Sequence, residues 1–464
     1  MAEDVERFDD SLASQQNELI VATEHEGFIR DHLAGFIDDV FVSQPLGLTK
    51  FTVQTGNAAH SLDGLVRAED RVRRIRDAMH AQAAASLTVA VSTRSAEDSI
   101  GAIVRDLRAL AAAHHGGWVP TIGRNRFVEF PGVGATGVTS YGVHARALSG
   151  AGVTSYGGGG VPRPVSRLRG WTPPPPRASG PGRGVRVGLV DTRLWPHPWL
   201  AGGWHAGPSS LTTAEGAPPL AAGHGTFVSG QILSQAPGAT LDVRAVLDGQ
   251  GQGTAWDAAV AIAELGRSGV AVINASFTCH TADGQPPLVL ARAIDRVDSD
   301  TVVVAAAGNH AGLGSRDKVH EDPLAAFSSL PSWPAALDDV VAVGSLDRGG
   351  RPAPFSPDRP WVDVLAPGVD LRSTYLPYAS GQGSGLRFGS GWADWSGTSF
   401  SAALVSGAIA SAVDPGRVSA AQAWSDLLAS ASGVDEAGAK LAGSAPRRLP
   451  LWTGWAARRS NRSR

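Results

Sequence analysis

From residue 185 onward, short apolar runs alternate with alanine-rich segments whose apolar positions recur at helical spacing. Continuous apolar strands that alternate with helices are typical of a parallel sheet covered on both faces. The pattern therefore predicts an α/β domain with a doubly wound parallel sheet over residues 185–435. The predicted strands are 185–191, 241–247, 270–277, 301–307, 340–345 and 361–365. The predicted helices are 226–233, 255–267, 288–297 and 400–413.

Residues 1–154 follow a different pattern. Apolar spacing predicts a helix across 62–79 and a second across 100–110, which a capping box at 95–98 opens. Short strands are predicted at 87–91, 118–122 and 127–130, with Gly123 and Asn125 in a turn between the last two. The order favours a small α+β region that precedes the larger domain.

A linker is predicted at residues 155–184, which are rich in Gly, Pro and Arg and contain no acidic residue. Glycine gives flexibility, and a proline run gives an extended spacer. Residues 436–464 form a basic tail. With 57 Gly and 30 Pro among 464 residues, loop-rich stretches are expected.

Charge and cysteine content exclude several classes of function. The net charge of −3 gives no reason to expect nucleic acid as a partner, and the single Cys279 excludes an internal disulfide. No apolar run approaches the roughly 20 residues that span a bilayer. The first residues are acidic and lack the apolar stretch of a secretory signal, so a cytoplasmic location is expected.

Three chemically important residues stand at element ends in the predicted α/β domain, where such sheets bind ligands. Asp191 ends an apolar strand, His224 opens a helix, and Ser399 opens a long helix of small residues. A serine hydroxyl needs an imidazole to take its proton and a carboxylate to hold that imidazole. Each residue alone has an ordinary structural explanation, as a cap or a buried polar group, but together they indicate a catalytic triad.

A fourth residue offers a hydrogen-bond donor for the reaction. Asn309 follows an apolar strand, and its side-chain amide is suited to stabilise an oxyanion together with the Ser399 backbone N–H. A plain Gly-Asn turn is the commoner role of that dipeptide, and the four-residue constellation outweighs it.

Five sequence blocks contain or border these residues: VGLVDT around Asp191, GHGTFVSG around His224, INASF around Ser276, VVVAAAGN ending at Asn309, and SGTSFSAALVSG around Ser399. In these blocks the chain resembles the subtilisin-like serine proteases. The resemblance implies that Asp191 orients the imidazole, His224 is general base and then acid, Ser399 is the nucleophile and Asn309 is an oxyanion donor.

The resemblance also implies where substrate binds. Members of the family bind the substrate peptide as an added strand between two edge segments, and the first of these includes Gly251 and Gly253. The second edge includes Ala275, Ser276 and Phe277, and the wall of the primary specificity pocket includes Ala306 and Gly308. The sequence departs from the family pattern at Arg193, Phe227, Thr278 and Ala403. None of these departures removes a catalytic atom.

Other candidates are weaker. Asp317, His320, Glu321 and Asp322 form an acidic cluster that either binds a cation or is a solvated loop, and the solvated loop is favoured. No metal or cofactor is therefore predicted, and a structural calcium ion is not indicated. His310 either contacts substrate or is an exposed loop residue, and the exposed role is favoured.

The predicted function is that of a serine endopeptidase acting on polypeptide substrates. An α/β-hydrolase esterase is disfavoured because its triad runs Ser, acid, His and its serine lies in G-x-S-x-G. A degenerate protease that only binds peptides is the remaining alternative. Because an active endopeptidase needs control, residues 1–154 are expected to dock on the catalytic domain and restrain it. An accessory or targeting domain is the alternative for that region.

Overall fold

The computed structural model describes residues 14–80, 99–129, 161–165, 180–205, 207–211, 218–281, 283–311, 330–377, 388–431, 447–449 and 451. Two compact units are distinguished by their internal contacts. The first, called the N-terminal unit, comprises Asp10–Arg126 with Pro287–Val289. The second, called the α/β unit, holds Phe127–Pro286 and Leu290–Arg464.

The N-terminal unit is an α+β fold. Its described strands pair antiparallel in the order β2-β3-β1-β4, and its core joins Leu19 and Phe51 of the sheet to Ile103 and Leu107 of a helix. Its elements are β1 (Ser14–Ala22), α1 (Glu26–Leu33), β2 (Ile37–Ser43), β3 (Leu48–Val53), α2 (Thr55–His80), α3 (Ser99–His114) and the first part of β4 (Ile122–Glu129), whose last three residues belong to the second unit.

The turn predicted at Gly123 and Asn125 is wrong, because both residues lie inside β4. Gly123 pairs with Ile20 of β1, and the buried Asn125 amide donates to the Glu18 carboxylate of the same strand. A buried polar group is tolerated in a sheet when it is hydrogen-bonded. The strand predicted at 87–91 and the capping box at 95–98 lie outside the described residues.

The α/β unit confirms the predicted doubly wound α/β fold. Its described parallel strands follow the order β15-β12-β11-β10-β9-β6-β7. The strands of this sheet are β6 (Arg186–Thr192), β7 (Thr240–Leu247), β9 (Val272–Ala275), β10 (Val302–Ala306), β11 (Val340–Leu346), β12 (Val364–Pro367) and β15 (Arg447–Arg448). Further strands are β5 (Arg163–Pro164), β8 (Gln252–Thr254), β13 (Leu371–Thr374) and β14 (Trp392–Trp395).

The helices of this unit connect and cover the strands. They are α4 (His224–Gln235), α5 (Ala255–Gly266), α6 (Leu288–Ile294), α7 (Thr398–Ala412) and α8 (Ala420–Ser430). The first thirteen residues of α7 are buried, and the helix packs on β9, β10, β11 and β12. Its small side chains explain this, since they let a helix buried all round approach neighbouring elements closely.

A short segment within the predicted linker, β5, belongs to the α/β unit. β5 pairs antiparallel with Ala393 and Asp394 of β14, and Arg163 forms an ion pair with Asp370. β14 also pairs with β13, so the three strands form a small antiparallel sheet. β14, the strand that leads to α7, is therefore held on both edges.

Candidate active site

The carboxylate of Asp191 is fixed at the end of β6. The residue is fully buried, and its Oδ1 accepts a hydrogen bond from the backbone N–H of Thr192 at 2.7 Å. A buried carboxylate is costly unless its oxygens are hydrogen-bonded. The strand end therefore supplies part of the solvation that the ion loses.

His224, the first residue of α4, completes the environment of Asp191. Its Nδ1 lies 2.8 Å from Asp191 Oδ1 and 3.0 Å from Oδ2, and the ring is buried. An ionised carboxylate only accepts hydrogen bonds, so Nδ1 carries the proton and Nε2 of the neutral ring keeps its lone pair. That tautomer is the one a general base requires.

Gly225 allows the helix start to approach the strand end. A Cβ at this position would lie 2.8 Å from the carbonyl oxygen of Thr192 and 3.0 Å from Asp191 Oδ1. Its backbone N–H donates to Thr192 Oγ1 at 3.0 Å. A side chain at residue 225 would therefore displace His224 from the carboxylate.

Ser399 is the second residue of α7 and is buried. Its hydroxyl donates to the carbonyl oxygen of Ser276 at 3.4 Å. Helices α4 and α7 pack against each other, and the Phe400 ring lies 5.5 Å from the His224 ring. The N-terminal ends that carry His224 and Ser399 are thus neighbours in the fold, as the triad prediction requires.

Aromatic side chains surround the imidazole, and the sequence reasoning did not foresee this. The Trp395 ring meets the His224 ring edge-on at 5.7 Å and 90°, and Phe227 packs on Phe400 at 4.3 Å. These contacts explain the family departure at Phe227, which fills the space between Trp395 and Phe400. The aromatic residues in or next to the His224 and Ser399 motifs were the sequence feature from which this aromatic environment could have been predicted.

Asn309 is oriented by Thr398, another residue that the sequence reasoning did not single out. Its Oδ1 accepts from the backbone N–H and from the hydroxyl of Thr398, both at 3.0 Å. Because a backbone N–H can only donate, the atom facing it is the amide oxygen, and Nδ2 is the remaining end. Nδ2 lies beside Gly397, where a Cβ would be 3.2 Å away. The amide nitrogen therefore lies beside Gly397, two residues before Ser399 in the chain.

Several predicted substrate-binding residues lie around this centre. Ser276 touches Ser399, while Ala275 and Phe277 flank it in the chain and are buried. Gly308 has φ +99°, a conformation that favours glycine, and its N–H donates to Thr398 Oγ1 at 3.1 Å. Ala306 ends β10.

The other predicted edge, with Gly251 and Gly253, lies in a separate segment. Gly251 closes a turn through its N–H to Asp248, and Gly253 lies in β8. The last three residues of β4 pair antiparallel with β8, with Val128 opposite Gly253. A strand of the chain itself therefore occupies this predicted edge.

The favoured role of His310 as an exposed loop residue is wrong, because the side chain is buried. Its ring lies 4.7 Å from that of His280, and its Nε2 is 3.2 Å from the carbonyl oxygen of Leu330. Burial lowers the pKa of His310 to about 4, and it lowers the pKa of His280 well below the ordinary value. His310, which directly follows Asn309 in the chain, therefore packs in its neutral form against His280.

These lowered pKa values predict acid destabilisation. The unfolded chain protonates His310 below about pH 6.5, whereas the folded chain keeps it neutral down to about pH 4. Between these values the unfolded state binds more protons, so the free energy of unfolding falls as pH falls. One such group contributes up to about 1.4 kcal/mol per pH unit. Urea unfolding of the Ser399→Ala protein at pH 7, 6 and 5 measures the slope. A His310→Gln protein should have the smaller slope, and equal slopes would contradict the assignment.

Within the described ranges, no three His, Cys, Asp or Glu side chains are grouped so that they could hold a metal ion. The acidic cluster at residues 317–322 lies outside those ranges. The described helices include none that combines the length and apolar character needed to cross a membrane.

Comparisons with known proteins agree with this geometry. The family model described as the subtilase family matches residues 182–437. Subtilisin Savinase of Lederbergia lenta is 31% identical over 240 residues, which are 49% of this chain and 76% of that protein. The alkaline protease of Alkalihalobacillus alcalophilus is also 31% identical over 240 residues, 54% of its length, so the match spans about half of that relative.

The solved structure of fervidolysin from Fervidobacterium pennivorans, described as a keratinolytic enzyme related to subtilisin, has a similar fold. Its TM-score is 0.55 at 16% identity, and the match covers 94% of this chain and 60% of that one. The likeness concerns the fold alone.

Proposed function

Since the chain belongs to the subtilase family and is a serine endopeptidase, we propose that Asp191, His224 and Ser399 are its catalytic triad and Asn309 its oxyanion donor. The observation that carries the assignment is the buried Asp191–His224 pair, with a 2.8 Å contact to Nδ1. This contact leaves Nε2 as the base, and α4 presents the ring to the helix that begins at Thr398. No observation favours the alternative of a protein that only binds peptides.

The reaction follows from these positions. The Ser399 hydroxyl turns from the Ser276 carbonyl to His224 Nε2, gives up its proton and attacks the carbonyl carbon of the substrate. Asp191 holds the resulting imidazolium. The tetrahedral oxyanion accepts hydrogen bonds from Asn309 Nδ2 and from the Ser399 backbone N–H, which lies in the first turn of α7 and has no intrahelical acceptor.

Collapse of the intermediate completes peptide cleavage. His224 returns its proton to the leaving amine, and the acyl group stays on Ser399. Water then attacks the acyl-enzyme, with His224 again acting as base. The test is peptide hydrolysis by the Ser399→Ala and His224→Ala proteins, both of which should lose nearly all activity.

Polypeptide substrates are expected to bind as an added strand on the edge that includes Gly251 and Gly253. Main-chain hydrogen bonds give affinity in this mode of recognition, and side-chain pockets give specificity. The support is the pairing of Val128 with Gly253 in β8, which shows that the edge accepts an antiparallel strand. The cytoplasmic location expected from the first residues stays a prediction.

The same pairing supports a restraining role for residues 1–154. The three residues 127–129 take the position proposed for a substrate strand, and Val128 is fully buried there. A strand delivered by the chain itself competes with substrate at a high effective concentration. Residues 1–154 therefore restrain the peptidase through this strand.

Inhibition in trans tests this role. A fragment of residues 1–154 is added to a protein of residues 157–464, which retains β5 and its pairing with β14. Micromolar fragment should slow hydrolysis of a peptide substrate. The matched control is a Val128→Asp fragment, which places a charge at the buried position and should inhibit more weakly. Activity unchanged by the parent fragment would contradict the restraining role and favour an accessory domain.

A further inference from the structure

A buried polar side chain lies in the middle of the parallel sheet. Asn274 belongs to β9, which has β10 on one side and β6 on the other, and all four residues of β9 are buried. A polar amide here is costly unless its donors and acceptors are paired. Its contacts therefore indicate why the position is not apolar.

Both the nitrogen and the oxygen of the Asn274 amide form hydrogen bonds that connect it to α7, the helix that carries Ser399. Nδ2 donates to Ser406 Oγ of α7 at 3.0 Å, and Oδ1 accepts from Ser276 Oγ at 2.8 Å. The hydroxyl of Ser276 also lies 3.0 Å from the carbonyl oxygen of Ser399. The amide thus links two points of α7, one directly and one through Ser276.

The two points on the helix are separated by two turns. Ser399 and Ser406 are seven residues apart and lie on the same face of α7. Holding both points against β9 fixes the position of the helix along its axis and its rotation about that axis. Sliding or turning α7 would move Ser399 Oγ away from the segment that begins at Ala275.

We propose that Asn274 and Ser406 are positioning residues for catalysis, and that their hydrogen bond holds the nucleophile in register with the substrate-binding segment. This inference rests on the proposed role of Ser399. Neither side chain touches substrate, so both act through α7 and Ser276. A displacement of about 1 Å at a reacting atom costs about 10²-fold in rate, so a partial loosening is expected to cost about ten-fold.

A contribution to stability alone does not explain the hydrogen bond between Asn274 and Ser406. Replacing both members of a buried polar pair by apolar groups of similar shape is nearly neutral for stability. Stability therefore does not explain why Asn274 and Ser406 are polar. An apolar contact would let α7 slide or turn against β9, whereas the hydrogen bond fixes its position. Stability and rate should separate on mutation.

The test uses the full chain with Ser406→Ala, Asn274→Ala and the double variant. Ser406→Ala should lower kcat about ten-fold with KM within about two-fold. The double variant should be no slower than the worse single variant, because the two residues share one interaction. Ser406→Thr keeps the hydroxyl and should restore kcat. If Asn274→Ala fails to fold, the Ser406 variants decide the question.

The matched control is Ser401→Ala. Ser401 is buried in the same helix, but its hydroxyl contacts the Ser345 hydroxyl at 2.9 Å and the carbonyl oxygens of Ala366 and Pro367. It should melt no higher than Ser406→Ala yet keep a larger kcat. An equal loss of kcat in the two proteins would show general loosening of α7 and overturn the inference.

A fluorophosphonate probe distinguishes the positioning role of Ser406 from the proposed role of Ser399 as nucleophile. The rate of phosphonylation at Ser399 should fall about ten-fold in Ser406→Ala, in parallel with kcat. If the parent is labelled at Ser399 and the variant is labelled equally fast, the positioning role is wrong and the proposed function stands. If the active parent is not labelled at Ser399, the proposed function itself is wrong.

Discussion

Replacing Ser399 or His224 by alanine is expected to reduce kcat by about six orders of magnitude, and the double variant is expected to be no slower than either single one. The nucleophile and its base act as one unit, so removing the second member has little left to disrupt. The magnitude, about 2 × 10⁶, is that of subtilisin, a member of the same family. Steady-state kinetics with a peptide ester and a peptide amide measure it.

Two controls make this prediction specific. His205 is an exposed histidine of the same unit, and His205→Ala should leave kcat unchanged. The melting temperatures should show that the Ser399→Ala and His224→Ala proteins are folded. A double variant much slower than both single ones would mean that the residues act in separate steps, which contradicts the shared mechanism.

Removing the proposed oxyanion donor, Asn309, is expected to cause the second large reduction in kcat. Asn309→Ala should lower kcat about 10²–10³-fold with little change in KM, because the amide N–H stabilises charge that develops only in the transition state. This range again comes from subtilisin. Alanine also removes the acceptor for the Thr398 N–H and hydroxyl, so the variant changes two things.

Asn309→Asp separates the donor from the acceptor. Aspartate keeps an oxygen that can accept from Thr398 and lacks the N–H donor. Both variants should therefore lose activity to a similar degree. Near-parent activity of Asn309→Asp would show that orientation of Thr398, and not donation to the oxyanion, is what Asn309 contributes.

The sequence predicts the α/β unit well because its signals are local. Most strands of the sheet before β15 coincide with a run of β-branched or small residues, and helix α7 follows Gly397 and opens with the hydroxyl residues Thr398 and Ser399. Functional residues at the ends of these elements are brought together by the topology of a parallel sheet. The triad and Asn309 could therefore be proposed before the contacts were known.

The N-terminal unit is predicted less well, since its strands are partly polar. β2 contains Asp38 and Asp39 and lies at an edge of the described sheet, so its pattern does not distinguish a strand from a loop. In β4, Gly123 and Asn125 resemble a turn, and only the contact with Glu18 of a distant strand explains them. The predicted strand at 118–122 overlaps β4 at Ile122 alone.

Details of the site depend on contacts between segments that are remote in sequence. Thr398 orients Asn309 from 89 residues away, and Asn274 reaches Ser406 from 132 residues away. Motif spacing predicts the reacting groups, because these lie within recognisable blocks. It does not identify the residues that hold those groups in place.

The most direct test of the account is covalent labelling of a preparation that hydrolyses peptide. A fluorophosphonate probe phosphonylates a serine only when a base activates it, and peptide mapping by mass spectrometry identifies the serine. The account predicts a single adduct on Ser399 that disappears in the His224→Ala protein, together with the loss of hydrolysis. An adduct on another serine, or full activity with Ser399 unlabelled, would contradict it.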